Sequence, residues 1–394
     1  LYGAPPADQV AEAARLIAEA QRPVMIAGAG VLHSETMDEL CELAEKADIP
    51  VINSLLGLGC FPRDHELSLG MMGMHGEAAA TLAVQEADLV MGVGIRFDDR
   101  LTGATKGFAP KAKILHFDLD PSEVGKTVNP VAFVIGDLAE SLKALLPEVA
   151  PKKHTPWREQ VAAWQKQYPL VVPEGRFLSR TVLKALDKAT KGEAVFSTDV
   201  GQHQMWTAQF IKFRKPLSWL SSGGLGTMGY GFPAAMGAKF ARPEDEVWAV
   251  VGDGGFQMTL QELQTAVEYG CNVKIALLNN GYLGMVRQWQ ELFYDNRYSH
   301  VAMGSPDFGK LAEAYGVTFF RCNREEDLEA TISAAQAHQG PVLCEFVVEM
   351  EENVFPMVPA GGNNSDVIMD PALTHVEVHP DGAAFETHHE AVKR

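Results

Sequence analysis

The sequence has little cysteine and no C-x-x-C pair. The scattered cysteines predict reduced core residues in a cytoplasmic protein. They are Cys41, Cys60, Cys271, Cys322 and Cys344. No apolar run reaches the roughly 18 residues of a membrane span, and no signal peptide is recognisable. Basic residues are also few, because 33 Lys and Arg face 51 Asp and Glu, a net charge of −18. Such a chain repels nucleic-acid backbones and anionic membranes, so neither partner is expected.

The composition is that of a globular protein with two or three domains. Of the 394 residues, 46% are hydrophobic and 21% are charged. Short apolar runs alternate with amphipathic helical patterns over residues 1–150 and again over 176–350, which predicts two doubly wound parallel-sheet domains of the α/β class. The proline-rich stretch 151–175 is predicted to be a linker. Residues 351–394 lose periodicity and are interpreted as a C-terminal lid and, after Asp370, a mobile tail.

Several element positions follow from the pattern. We expect Asp8 to cap a first helix and a further helix to begin near Thr259. The predicted strands of the first domain are 23–27, 51–52, 89–93, 114–117 and 131–135. Those of the second are 194–197, 217–219, 247–251, 273–278, 318–320 and 342–346.

A glycine turn follows one of these apolar strands. Gly252, Asp253, Gly254 and Gly255 come directly after the run 247–251. Glycine lets a backbone approach phosphate oxygens closely, and a following helix points N–H groups at them. Asp253 would lie at the strand end, where a hard cation can join it to a diphosphate. Taken alone, the turn could equally be an ordinary loop.

The next strand ends in a second polar pair, Asn279 and Asn280. Neighbouring parallel strands end at the same sheet edge, so Asn280 is expected beside Asp253. A carboxylate, an amide oxygen, a backbone carbonyl and phosphate oxygens form an oxygen set that suits magnesium better than zinc. No cluster of His and Cys competes for the ion.

The G-D-G turn and the later N-N pair resemble the signature of thiamine diphosphate enzymes. The resemblance implies that the diphosphate contacts Gln202 and His203, the aminopyrimidine contacts the Val200 backbone, and Met228 in the glycine-rich stretch with Gly226 props the cofactor into a bent shape. Gly284 and Met285 would close over it, and the Tyr282 carbonyl would bind the metal with Asp253 and Asn280. Judged singly, His203 would be a surface loop residue and Met228 a core residue.

Three further segments are similar to the catalytic subunit of acetohydroxyacid synthases. They are M-V-R-Q-W-Q-E-L-F-Y from Met285, M-G-M-H-G from Met72 and G-I-R-F-D-D-R-L-T-G from Gly94. The resemblance implies that Met285, Trp289 and Asp99 contact substrate, with Trp289 selecting 2-ketobutyrate. It also implies that FAD binds Gly28, Gly30, Asn53, Met74, His75, Gly94, Arg96, Asp98, Arg100, Asp118 and Asp137. Without the resemblance, Trp289 could be a core residue, and Asp98 and Asp99 with their flanking arginines a solvated ion-pair cluster.

The resemblance implies a carboligase of branched-chain amino acid biosynthesis. It would decarboxylate pyruvate and join the product to a second 2-keto acid, with thiamine diphosphate, magnesium and a structural FAD. A homodimer or homotetramer and a regulatory small subunit are implied partners. The activating glutamate of the family belongs to a preceding domain, so this sequence is expected to be a fragment that is inactive alone. Glyoxylate carboligase, pyruvate oxidase and a non-catalytic cofactor module remain alternatives. A nicotinamide dehydrogenase is disfavoured because the full G-x-G-x-x-G is absent.

Overall fold

The structure is a computed structural model that describes residues 3–373. Of the described residues, 3–171 and 355–373 form one compact unit, and Val172–Val354 form a second. No helix within residues 3–373 is both long enough and apolar enough to cross a membrane. The predicted tail beyond Leu373 lies outside the described residues.

The first unit is built on a six-stranded parallel sheet. Its strands are β1 (Pro23–Ala27), β2 (Val51–Asn53), β3 (Ser68–Met71), β4 (Leu89–Val93), β5 (Lys113–Asp118) and β6 (Ala132–Ile135). Its helices are α1 (Ala7–Glu19), α2 (Ala29–His33), α3 (Met37–Ala47), α4 (Ala78–Glu86), α5 (Asp99–Thr102), α6 (Leu138–Leu145) and α7 (Thr155–Gln167). The strand order is β3-β2-β1-β4-β5-β6, so the chain reverses direction across the sheet between β1 and β4. Ligands bind at such a switch point in doubly wound folds.

Helices cover both faces of this sheet, as the all-apolar strands predict. Met25 and Met91 pack into one core cluster, whereas Val24 and Val90, one residue earlier, pack into another. This alternation follows from the two-residue period of a strand.

The second unit repeats the arrangement. Its strands are β7 (Val195–Thr198), β8 (Trp219–Ser221), β9 (Val247–Gly252), β10 (Lys274–Asn279), β11 (Thr318–Cys322) and β12 (Val342–Val347). Its helices are α8 (Ser179–Thr190), α9 (Gln202–Phe210), α10 (Gly231–Ala241), α11 (Asp253–Phe256), α12 (Glu262–Glu268), α13 (Gly284–Phe293), α14 (Phe308–Tyr315) and α15 (Leu328–Ala337). All neighbouring strands are parallel in the order β11-β12-β10-β9-β7-β8, with the switch point between β7 and β9. The two parallel sheets confirm the predicted fold class.

Some local predictions were wrong. Asp8 does not cap α1; it lies in the first turn of a helix that begins after Pro6 without a side-chain cap. The helix expected near Thr259 begins at Glu262 as α12, and a separate short helix that was not predicted, α11, starts at Asp253 itself. Strand β3 was missed because it is short and contains Gly70, whose φ is +76°.

Two stretches outside the predicted domains pack into the first unit. Helix α7 lies in the predicted linker and buries Trp157 and Val161 in the core of that unit. In the predicted lid segment, the Val358 N–H donates a 2.7 Å hydrogen bond to the Met74 carbonyl.

Candidate cofactor site

The candidate site of the second unit lies where three neighbouring parallel strands end. Strand β9 lies between β7 and β10, and Leu278 of β10 is in register with Gly252 of β9. The residues that follow these strand ends are therefore brought together, although they are far apart in sequence. They include Val200, Asp253 and Asn280.

A cleft of about 560 Å³, its open mouth included, occupies this edge. Twelve of the thirteen residues predicted to bind thiamine diphosphate line it. They are Val200, Gln202, His203, Met228, Gly252, Asp253, Gly254, Gly255, Asn280, Tyr282, Gly284 and Met285. Gly226 is not among the lining residues; a Cβ built on it would meet Val200 Cγ1 at 3.8 Å. The cleft is also lined by residues that were not predicted: Ser179, Gly201, Trp206, Leu278, Leu283 and Val286.

Asp253 is a buried carboxylate whose hydrogen-bond donors among residues 3–373 are all neutral. It is 1% exposed and accepts hydrogen bonds of 3.0 Å from the Gly254 and Gly281 N–H groups and of 3.4 Å from the Ser305 hydroxyl. Burial raises the pKa of Asp253 to about 6, against the opposing effect of these donors. A bound cation would supply the missing positive charge, so the environment of Asp253 fits a metal ligand.

Asn280 is placed with its amide between two partners. Its Oδ1 accepts a 3.1 Å hydrogen bond from the Tyr282 N–H, and its Nδ2 lies 3.5 Å from Gln202 Oε1. A Cβ on Gly284 would fall 2.0 Å from that Gln202 oxygen. Gly284 therefore leaves the room in which the Gln202 and Asn280 amides meet, a reason for glycine that the sequence did not reveal.

His203, in α9, lines the cleft. The side chain is 8% exposed, and burial lowers the pKa of its imidazole to about 4, so the ring is neutral at pH 7. Its buried Nε2 has no hydrogen-bond partner among residues 3–373. Built Cβ atoms on Gly201 and Gly252 would each come within 3.0 Å of the ring. An unpaired nitrogen flanked by glycines fits a site for a polar ligand group.

The loop that carries Met228 is fixed by a buried side chain. Asp199 Oδ1 accepts hydrogen bonds of 2.8 Å from the N–H groups of Val200 and Gly229. This ties the residue after Met228 to the end of β7. Met228 is thereby held at the cleft wall, where its predicted role as a prop requires it.

Tyr282 lies at the start of the segment that contains α13. It forms an antiparallel bridge with Ala302, and its ring lies 5.8 Å from the guanidinium of the buried Arg287. Met285 of α13 lines the cleft, but Trp289, one turn further, is not among its lining residues. The Trp289 ring packs on Phe293 with centroids 5.2 Å apart. The structure of this unit therefore brings Met285 to the cleft and leaves Trp289 beside it.

The residues predicted to bind FAD follow the strand ends of the first unit. A Cβ on Gly28 would lie 2.1 Å from the Gly94 carbonyl oxygen, and one on Gly30 would lie 2.7 Å from Gly94 Cα. These glycines, after β1 and β4, are therefore required by close backbone packing at the switch point, whatever ligand binds there. Asn53 ends β2 and donates a 2.9 Å hydrogen bond to the Gly57 carbonyl.

The remaining predicted flavin residues have structural partners of their own. Asp98 caps α5 and Asp137 caps α6 through their carboxylates. Arg96 lies 3.5 Å from Asp98 as an exposed pair, which matches the ion-pair alternative for this cluster.

The other residues predicted to bind FAD or substrate at this edge include both exposed and buried side chains. Arg100 Nη1 lies 3.8 Å from Met74 Sδ, and both Arg100 and Asp99 are exposed. Asp118 is 3.5 Å from the buried His116. Burial lowers the pKa of the His75 imidazole to about 4.

Comparison with known proteins identifies the class. Residues 199–346 match the thiamine pyrophosphate enzyme C-terminal TPP binding domain, and residues 10–145 match the thiamine pyrophosphate enzyme central domain. The chain thus has the two-domain arrangement of a thiamine pyrophosphate enzyme.

Similar individual proteins identify the family within this class. The chain is 47% identical to the acetolactate synthase large subunit IlvB1 of Mycobacterium tuberculosis over 379 residues, which is 92% of this chain and 61% of that protein. It is 45% identical to the acetolactate synthase large subunit of Corynebacterium glutamicum, over 92% of this chain and 60% of that protein. It is 43% identical to the acetolactate synthase large subunit of Porphyra purpurea, over 91% of this chain and 62% of that protein. The chain belongs to the acetolactate synthase family, which confirms the resemblance seen in the motifs. It spans about three fifths of the length of these relatives.

Proposed function

We propose that the protein to which this chain belongs is an acetolactate synthase. It would decarboxylate pyruvate and transfer the two-carbon product to a second 2-keto acid, giving 2-acetolactate or 2-aceto-2-hydroxybutyrate. The observation that carries the proposal is the convergence of Asp253, Asn280 and His203 on one cleft at the switch point of a thiamine pyrophosphate-binding domain. When bound there, the cofactor supplies an electron sink for the reacting carbon.

The chain's own residues would hold the cofactor through its diphosphate and a magnesium ion. Asp253, the Asn280 amide oxygen and the Tyr282 carbonyl supply an all-oxygen ligand set of the kind magnesium prefers. The backbone N–H of Gln202, at the start of α9, and the neutral His203 would contact the diphosphate, and the Val200 backbone the aminopyrimidine. Met228 and Met285 would enclose the apolar part and exclude water from it.

The cleft supplies no glutamate for cofactor activation. Asp253 is the only carboxylate among its lining residues within the described chain, and its role is metal binding. We propose that the activating glutamate lies outside residues 3–373, as the family resemblance implies.

We further propose that FAD binds at the switch point of the first unit, near Gly28, Gly94 and Arg100. Asp99 and Trp289 are proposed substrate contacts, with Trp289 selecting the larger acceptor. A homodimer or homotetramer, a regulatory small subunit and a cytoplasmic location complete the proposal. The location is supported by the cysteines, since all five are free and four of them are buried.

Product analysis on the full-length protein tests the proposed reaction. With thiamine diphosphate, Mg²⁺ and FAD, pyruvate alone should give 2-acetolactate, and added 2-ketobutyrate should divert product to 2-aceto-2-hydroxybutyrate. Acetyl phosphate from pyruvate, or carboligation confined to glyoxylate, would assign the protein to one of the other thiamine enzymes.

A further inference from the structure

Gln288 is a fully buried glutamine whose amide orientation is set by the backbone. It is 0% exposed and lies on α13 one turn after Gly284. Its Oε1 accepts a 2.8 Å hydrogen bond from the Val354 N–H, and its Nε2 donates one of 3.0 Å to the Val354 carbonyl. A backbone N–H only donates and a carbonyl only accepts, so these two bonds determine which end of the amide is oxygen.

Gln288 passes this orientation to Gln202. The Gln202 Nε2 donates 3.0 Å to Gln288 Oε1 and 2.8 Å to the Glu352 carbonyl. Both amide hydrogens are thereby used on acceptors that cannot donate in return. The remaining atom, Gln202 Oε1, must then face the other way.

That oxygen faces Asn280. Asn280 Nδ2 is 3.5 Å from Gln202 Oε1, in the space that Gly284 leaves open. With its nitrogen turned to Gln202, the Asn280 amide presents Oδ1 on the opposite side, where it also accepts from the Tyr282 N–H at 3.1 Å. We propose that Gln288 and Gln202 are positioning residues that fix the amide oxygen of Asn280 toward the cation.

The inference rests on the proposed magnesium site and concerns how its ligand is oriented. An asparagine amide is nearly symmetrical in shape but not in chemistry, because only its oxygen binds a cation. If Gln202 turned by 180°, its oxygen would oppose Gln288 Oε1 and the Glu352 carbonyl, and its NH₂ would oppose that of Asn280. Reversal therefore creates several repulsive contacts between buried groups, and the chain of amides holds one direction.

The test measures metal binding and not turnover. Mn²⁺ is titrated into the full-length protein with thiamine diphosphate present, followed by electron paramagnetic resonance. Gln288→Met keeps the volume and removes the amide; it should weaken Mn²⁺ binding roughly tenfold, as loss of an outer-shell partner does. The matched control is Gln290→Met on the same helix, where the hydrogen bonds of the amide within the described part of the chain are to the backbone of Ser299. The control should stay within about twofold of the parent protein, well below that outer-shell effect.

A second background separates orientation from general damage. In Asn280→Asp the ligand offers an oxygen on both sides, so its orientation no longer matters. Adding Gln288→Met there should leave Mn²⁺ affinity unchanged or improved, because Gln202 becomes free to turn its NH₂ toward the new carboxylate. The proposal would be overturned if Gln288→Met weakened Mn²⁺ binding equally in the parent protein and in Asn280→Asp. It would also be overturned if Gln288→Met did not weaken Mn²⁺ binding in the parent protein.

Two further outcomes are distinguishable. If the parent protein binds no Mn²⁺ with thiamine diphosphate, the metal site itself fails and the inference fails with it. If the parent binds Mn²⁺ and Gln288→Met binds equally well, only the positioning role fails. Should Gln288→Met not fold, Gln202→Met carries the same comparison in both backgrounds, since it removes the amide that faces Asn280.

Discussion

The carboxylate of Asp253 accepts a 3.0 Å hydrogen bond from the backbone N–H of Gly281, the residue that follows Asn280. One bond thus joins the ends of β9 and β10, and it places the two predicted metal ligands on the same side of the sheet edge. The family's sequence signature has its physical basis here, because two short motifs far apart in the chain become neighbours only when their strands are adjacent and parallel.

Gly284→Ala should weaken metal and cofactor binding without unfolding the protein. The added methyl group would lie 2.0 Å from Gln202 Oε1 and 2.9 Å from Asn280 Nδ2, so both amides must move. Alanine also favours a helix over glycine by about 1 kcal/mol, which offsets part of the strain. Calorimetry for thiamine diphosphate and thermal unfolding separate the two effects.

Gly237→Ala is the matched control, because it lies in helix α10 and a Cβ there meets nothing within 4 Å. It should keep cofactor affinity and stabilise the protein by roughly 0.5–1 kcal/mol. Wild-type affinity in Gly284→Ala would show that the amide contact is dispensable.

Metal binding should release a proton as the pH falls toward 6. Burial raises the pKa of Asp253 to about 6 from an ordinary value of 3.8, and a cation favours the ionised form. Metal affinity should therefore be constant above pH 7 and fall about tenfold per pH unit well below 6. Folding stability without metal should change with pH in the opposite direction to metal affinity. Between pH 3.8 and 6 the folded state binds more protons than the unfolded state at Asp253, so the contribution of Asp253 to stability decreases as the pH rises through that range.

Titrations at pH 5.5, 6.5 and 7.5, in buffers of different ionisation heat, count the released protons. The exposed Asp295→Asn should leave the profile unchanged. A metal affinity that is independent of pH in this range would mean that Asp253 is already ionised without the cation.

His203 should stay neutral in the folded protein until the pH falls to about 4. Its pKa is lowered to about 4 by burial, whereas the unfolded side chain titrates near 6.5. Between these values the unfolded state binds more protons, so the stability contributed by His203 is present above pH 6.5 and is lost as the pH falls toward 4.

Urea unfolding at pH 7 and pH 5 should show a smaller loss of stability for His203→Gln than for the parent. The exposed His300→Asn is the control and should lose as much as the parent. His203→Gln should also weaken binding of thiamine diphosphate, because the unpaired Nε2 is removed. Parent-like pH dependence in His203→Gln would contradict the burial of a neutral ring.

Gly28→Ala should destabilise the first unit whether or not flavin is bound. The new Cβ would lie 2.1 Å from the Gly94 carbonyl oxygen, a contact that the backbone of β1 or β4 must relieve. We expect a loss of roughly 2 kcal/mol or more in flavin-free protein, measured by chemical unfolding. Parent-like stability with loss of FAD binding would instead assign the glycine to the ligand alone.

The sequence predicted the fold where its signals are local. Apolar runs such as 247–251 became buried strands, and the G-D-G turn with Asn280 located the cleft. It failed where tertiary contacts decide the outcome. Helix α11 begins at Asp253 because the glycine turn itself closes into a helical turn, and Gly70 in β3 gave no strand signal.

The contacts that connect the amides of Gln288, Gln202 and Asn280 could not be predicted from sequence patterns. Gln288 lies one turn after Gly284, so its helical face was predictable, but its partners on Val354 come from a segment with no periodic signal. Ser179 and Trp206 of the cleft wall likewise carry no motif. Asp98 and Asp137 illustrate a different limit, because the resemblance predicted them as flavin contacts and the structure shows both as helix caps.

The most direct measurement is a calorimetric titration of thiamine diphosphate into the full-length protein, with Mg²⁺ and again with the metal removed by chelation. Asp253→Asn and the exposed Asp295→Asn are compared with the parent. We predict tight binding that requires Mg²⁺, that is lost in Asp253→Asn and that is retained in Asp295→Asn. Equal affinity with and without Mg²⁺, or unchanged affinity in Asp253→Asn, would contradict the assignment of this strand-end site to a metal-anchored diphosphate.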